Sequence, residues 1–239
     1  MELPALPGRL ARVREVVADR QRRAGLAHEV RIVAVTKTHG ADLVRAAWQA
    51  GLRDLGENRV QEALPKQDAT ADLPIAWHLI GSLQRNKARQ VTGRFALIHS
   101  VDRLELAAEL NRRAPAGARQ RVLLQVNCSA EPQKGGVAAD QLPGLIDAVA
   151  GCEHLEMAGL MTMAAADADE AQQRRTFARL RELRDAAARR GVPLPELSMG
   201  MSDDYPAAVE EGATMIRLGS ALFGAREAGP THDEGGSTR

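Results

Sequence analysis

Two stretches far apart in this chain carry groups that could act together on one small molecule. Val33-Ala-Val-Thr-Lys37 ends an apolar run with a lysine, and a neutral lysine amine can condense with an aldehyde. Near the other end, Ser198-Met-Gly-Met-Ser-Asp-Asp204 is followed by Met215-Ile-Arg-Leu-Gly-Ser-Ala-Leu-Phe-Gly224. Ser202 stands where a helix is expected to begin, and free N–H groups at a helix start attract anions. Gly219 lets backbone approach phosphate oxygens closely, and Ser220 adds a hydroxyl. An amine for an aldehyde and a floor for a phosphate suit a phosphorylated aldehyde such as pyridoxal phosphate. The plainer alternatives are a Lys37 that snorkels into water and a Ser202 or Asp203 that only caps a helix.

The elements that must position these groups follow from the hydrophobic pattern. Apolar runs at Val30–Thr36, Leu52–Gly56, Ile75–Gly81, Phe95–Ser100, Val122–Asn127, Leu155–Met163, Leu197–Met201 and Thr214–Leu218 read as short strands. Helical patterns lie between them, as in parallel βαβ units. Eight such strands predict a single (β/α)8 TIM-type barrel, with its site at the C-terminal strand ends. An extra N-terminal helix, Arg9–Arg23, would cover one end or flank. The barrel is expected over residues 1–227, with 228–239 as a disordered tail rich in Gly, Pro, Ser and Thr. Asp102, three residues before Glu105, resembles a capping box.

Other polar residues fall at the same rim. Arg217 lies between Ile216 and Leu218 in an expected strand, so it must reach water, pair with an acid or meet a ligand. Against a pyridine ring it would donate to the ring nitrogen and leave that nitrogen unprotonated. Met201 shares its strand end with Ser202. His78, in Trp77-His-Leu-Ile-Gly81, reads first as a hydrogen-bonded core group, and Asn58 as the cap of the helix after it.

Composition narrows the function classes. Of 239 residues 44% are apolar, so a large core is expected, and the net charge of +1 gives no electrostatic reason to bind nucleic acid or a membrane. The six histidines show no metal-ligand spacing. No run is long enough to span a bilayer and no leader pattern opens the chain. With Cys128 and Cys152 on separate elements, a reducing cytoplasm fits.

Several segments, in order, also resemble one family. They include Val35-Thr-Lys-Thr38, Gly56-Glu-Asn-Arg-Val-Gln-Glu62, Trp77-His-Leu-Ile-Gly-Ser-Leu-Gln-Arg-Asn-Lys87, His99-Ser-Val-Asp102, Gln125-Val-Asn127, Lys134-Gly-Gly136 and Gly159-Leu-Met161. With the two C-terminal stretches, they resemble the pyridoxal phosphate homeostasis proteins, whose members resemble the barrel domain of alanine racemase. The resemblance implies that Lys37 is the Schiff-base lysine and that Ser202, Gly219 and Ser220 meet the phosphate. It places Arg217 near the ring nitrogen, Asn58 and His78 around the ring, and Met201 among the cofactor-binding residues. It further implies a carrier that buffers or supplies pyridoxal 5'-phosphate, with apo forms of enzymes using that cofactor as partners, as a monomer or weak dimer. The alternative is a pyridoxal-phosphate-dependent amino-acid racemase. Racemases of this barrel type carry a further β-domain and a tyrosine base, whereas this chain offers only Tyr205. Thr38-His39-Gly40 stands where the family leads one to expect a proline-containing turn.

Overall fold

Short apolar strands with helices between them can bury both faces only in a parallel sheet, and here that sheet closes. The computed structural model describes residues 4–129, 131 and 134–224. The strands are β1 (Arg31–Val35), β2 (Asp54–Glu57), β3 (Ala76–Leu79), β4 (Leu97–Val101), β5 (Gln120–Asn127), β6 (Val137–Ala138), β7 (Leu155–Met161), β8 (Glu196–Ser198) and β9 (Met215–Leu218). All pair in parallel in the order β4-β3-β2-β1-β9-β8-β7-β5, and a β4–β5 pairing completes the ring. The two-residue β6 lies outside the ring alongside β5. The eight expected strands are therefore the eight barrel strands. The part of the expected domain at 225–227, and the expected tail at 228–239, lie outside the described residues.

Nine helices among the described residues clothe the barrel: α1 (Leu6–Ala24), α2 (Ala41–Gln49), α3 (Val60–Ala69), α4 (Ala88–Val91), α5 (Leu104–Arg113), α6 (Leu142–Ala150), α7 (Glu170–Arg189), α8 (Tyr205–Glu210) and α9 (Ser220–Phe223). One-turn α9 and strand β6 are too short to leave a periodic signal. Helix α1 flanks the barrel by packing on α8 and α9. Leu6, Leu10, Val13 and Val17 make its buried stripe, each side chain contributing about 1.5–3 kcal/mol by leaving water. Arg20 adds an ion pair to Glu210 at 2.7 Å.

One capping assignment changes, and one capping box is new. Helix α5 begins after Arg103 with no side-chain cap, and Asp102 instead pairs with Arg103. A capping box does occur at α7, where Asp169 accepts from the Gln172 amide and the Gln172 side chain accepts from the Asp169 amide.

The core has two parts. Val33, Leu97, Leu123, Ala158, Met161 and Met215 fill the barrel interior. The larger cluster lies between strands and helices. Cys128 packs against that larger cluster, and burial pushes its thiol up to about 11, so it is a small apolar filler with no part in the site.

Candidate functional site

The last inward-facing positions of the strands leave a cavity of about 600 Å³ at the C-terminal end of the barrel. Lys37, Asn58, Met201, Ser202, Arg217, Gly219 and Ser220 all line it, so seven of the eight residues singled out from the sequence meet there. His78 is the exception. It is 1% exposed and bonded inside the barrel to Asp54 and His99.

Lys37 follows the end of β1. Its half-buried side chain has no hydrogen bond or ion pair among the described residues. The backbone around it is held firmly. Lys66 of α3 donates to the Thr36 carbonyl at 2.7 Å and to Glu57 Oε1 at 2.6 Å, and the Thr36 hydroxyl donates to the same Glu57 oxygen. Glu57 is fully buried. On the other side, Thr38 has φ +67°, which a β-branched residue adopts only under strain. Its amide donates to Glu62 Oε2 at 3.1 Å and its hydroxyl to the Lys37 carbonyl at 2.6 Å. This left-handed turn takes the place of the expected proline-containing one. It brings His39 to the cavity wall, with its ring 6.2 Å from that of Phe223.

The loops after β8 and after β9, the strand that pairs with β1, line the same cavity. Ser202 does not cap α8. Its hydroxyl oxygen accepts from the amides of Gly219 at 3.2 Å and Ala221 at 3.1 Å, which joins the loop after β8 to the loop after β9. Among the described residues the Ser202 and Asp203 amides have no protein acceptor, and neither does the Ser220 amide at the first position of α9. A Cβ built on Gly219 would meet only Val35, at 3.7 Å, which is ordinary contact. The protein's own packing does not require glycine there, so the absent side chain leaves room in the cavity. Asp204 is nearly buried and accepts from the Met201 amide. Burial raises its carboxyl pKa, opposed by that amide and by the charge of Arg217.

Arg217 sits on the floor, 3% exposed. It makes no ion pair among the described residues. It donates instead to Ser198 Oγ at 2.7 Å and to the Thr162 carbonyl at 3.0 Å. Burial pulls the guanidinium down to about 10, which still leaves it a cation at neutral pH. Asn58 is not a helix cap either, because α3 starts after Arg59 with no side-chain cap. The Asn58 carbonyl lies 2.2 Å from where a Cβ on Gly81 would be, so only glycine lets these two loops close the wall.

These groups fit a phosphorylated pyridine aldehyde. The Lys37 amine, the Ser202, Asp203 and Ser220 amides and the two serine hydroxyls are available to a ligand, and Arg217, a buried cation with spare N–H groups, lines the same cavity. His39 and Asp203 also line the cavity; the sequence offered Asp203 only as a helix cap and gave His39 no role, because it sits in a loop with no pattern of its own.

The model of the alanine racemase N-terminal domain matches residues 9–227. The pyridoxal phosphate homeostasis protein of Pseudomonas aeruginosa is 50% identical over 201 residues, which is 84% of this chain and 86% of that one. That of Aquifex aeolicus is 41% identical over 222 residues, or 92% and 97% of the two chains. The structure of PipY from Synechococcus elongatus with PLP bound has a TM-score of 0.76 at 41% identity, covering 87% of this chain and all 100% of that one. An alanine racemase of Clostridium difficile has a TM-score of 0.70 at 14% identity, over 90% of this chain and 60% of that one, a likeness of fold alone. The matched domain takes in every barrel strand, and relatives of one name align along most of it: the chain belongs to the alanine racemase N-terminal domain family, among the pyridoxal phosphate homeostasis proteins.

Proposed function

We propose that this protein binds pyridoxal 5'-phosphate in the rim cavity and buffers or supplies it, without turning over amino acids at an enzyme's rate. The observation that carries the reading is the meeting of an unpaired Lys37 amine, the Ser202–Ser220 amides and hydroxyls, and buried Arg217 around one open cavity. When bound, the cofactor supplies an electrophilic aldehyde and an electron-withdrawing ring. Lys37, whose amine opens on the cavity, is the residue that would hold the aldehyde carbon. Ser202 and Ser220 hold the phosphate with the free amides beside them. Arg217 can only donate, so it orients the ring and keeps its nitrogen unprotonated, which weakens the ring as an electron sink. The binding of PLP by PipY supports the choice of ligand.

Replacing Ser202 and Ser220 together with Ala should weaken pyridoxal phosphate on the order of 10- to 100-fold, the worth of one to two charge-assisted hydrogen bonds. Pyridoxal, lacking the phosphate, should lose little. Equal loss for both ligands in equilibrium titrations would remove these serines from the phosphate.

The racemase alternative needs a second base across the ring. Tyr205, the chain's one tyrosine, is 9% exposed in the larger core cluster and does not line the cavity. The loaded protein, incubated with L- and D-amino acids in deuterated water, should show no Cα deuteration approaching about 1 per second, a rate usual for enzymes. It should return activity to an apo enzyme that uses the cofactor. Deuteration or racemisation at that rate would make it a racemase and point to His39 as the other base. Among the described residues no helix is long and apolar enough to cross a membrane. A cytoplasmic monomer or weak dimer, delivering to apo enzymes, completes the proposal.

A further inference from the structure

Beneath the cavity a line of polar groups crosses the barrel interior. Arg217 Nη1 lies 2.7 Å from Ser198 Oγ, which lies 2.9 Å from His99 Nδ1. His99 Nε2 is 2.9 Å from His78 Nδ1, and His78 Nε2 is 3.0 Å from Asp54 Oδ1. The two imidazoles meet edge to face, with centroids 5.1 Å apart. Arg217, Ser198, His99 and His78 are all buried. Asp54, the first residue of β2, is the one member with appreciable exposure, at 21% of its side chain.

The two ends restrict where the protons sit. A guanidinium only donates, so Ser198 accepts from Arg217. A carboxylate only accepts, so His78 Nε2 carries hydrogen. Three arrangements meet both conditions. In the first, the Ser198 hydroxyl donates to His99 Nδ1, His99 Nε2–H donates to His78 Nδ1, and His78 Nε2–H donates to Asp54. Each proton then has an acceptor and both rings are neutral. In the second, His78 carries two protons and donates in both directions, and His99 Nδ1–H donates to Ser198; in the third, His99 carries two protons and donates to both Ser198 and His78. In both, the Ser198 oxygen accepts twice, and its own buried proton has no acceptor among the described residues. Each of these two also places a second cation in an interior that already holds Arg217. Leaving a buried donor unmatched and burying an extra charge both cost stability. Burial first, then the charges of His78, Arg217 and Arg31, hold the His99 pKa well below the ordinary histidine value, which fits a neutral ring there.

We infer that Ser198, His99, His78 and Asp54 form a one-way hydrogen-bond chain that positions Arg217, with every donor directed away from the cavity. The chain makes these four positioning residues. Its consequence for the ligand rests on the functional reading above, in which the spare N–H groups of Arg217 meet the ring nitrogen.

Histidine nitrogen NMR of the ligand-free protein at pH 8 tests the chain directly and needs no variant. Nδ1 should be unprotonated and Nε2 protonated in both His78 and His99. A proton on Nδ1 of either ring overturns the chain. The positioning role is read from Ser198→Ala, titrated with pyridoxal phosphate and with an analogue in which C–H replaces the ring nitrogen. Pyridoxal phosphate should weaken about tenfold, as for one lost hydrogen bond to a charged group, while the analogue stays within about twofold of its wild-type affinity. Equal weakening of both ligands would reduce the chain to a structural role and overturn the proposal. A wild-type protein that binds both ligands alike would instead remove Arg217 from the ring nitrogen, a failure of the functional reading. The tautomers, measured without ligand, would still decide the chain.

Discussion

Replacing Lys66 with Met is expected to destabilise the fold by about 3–5 kcal/mol, the cost of leaving a buried charge without its partner. Glu57 is fully buried, and its Oε1 accepts from Lys66 Nζ and the Thr36 hydroxyl. Its Oε2 already lacks a partner, so nothing stands in for the missing ammonium. The Thr36 carbonyl loses its bond as well. In urea the midpoint should fall with little change in slope. The double variant Glu57→Leu with Lys66→Met should recover most of the loss, because an apolar pair of similar volume can replace a buried ion pair. A single-variant loss below about 1 kcal/mol, the scale of an exposed ion pair, would show that the pair does not brace the strand end that carries Lys37.

The second large effect falls on the ligand. Lys37→Ala should weaken pyridoxal phosphate by at least about a hundredfold, or 2.7 kcal/mol, because the covalent bond is lost and only the phosphate and ring contacts remain. The fold should be untouched, since the Lys37 side chain holds no partner among the described residues. Titration of both proteins, with a thermal melt as control, reads the two quantities separately. Unchanged affinity would mean that the amine does not bond to the ligand.

The distinction between these lysines was only half legible in the sequence. Lys37 ends a largely apolar run and Lys66 follows Leu64-Pro65, and only the fold shows Lys66 turned into the β1–β2 flank while Lys37 lines the cavity. Strands were readable because a parallel strand buried on both faces is a short apolar run between turn residues. Once eight such runs implied a barrel, strand ends became rim positions, which is why Ser202, Gly219 and Arg217 could be placed together. The capping readings of Asp102 and Asn58 failed for a local reason. Each has an arginine after it as the true N-cap residue, in extended backbone with no side-chain bond. The interior chain was the least legible part. His99 on β4 and Ser198 on β8 belong to strands that are not neighbours in the sheet, and they meet only across the closed barrel. One signal did exist: His78, His99, Ser198 and Arg217 are polar residues in strands otherwise made of apolar ones.

Reduction of the loaded protein with borohydride, followed by peptide mapping, tests the central claim most directly. Reduction fixes the ligand on whichever amine holds it. The account predicts one pyridoxyl phosphate on the peptide containing Lys37, and none on Lys66, whose amine is bonded to Glu57, or on Lys87 or Lys134, which do not line the cavity. Label on any of those three in place of Lys37 would contradict it.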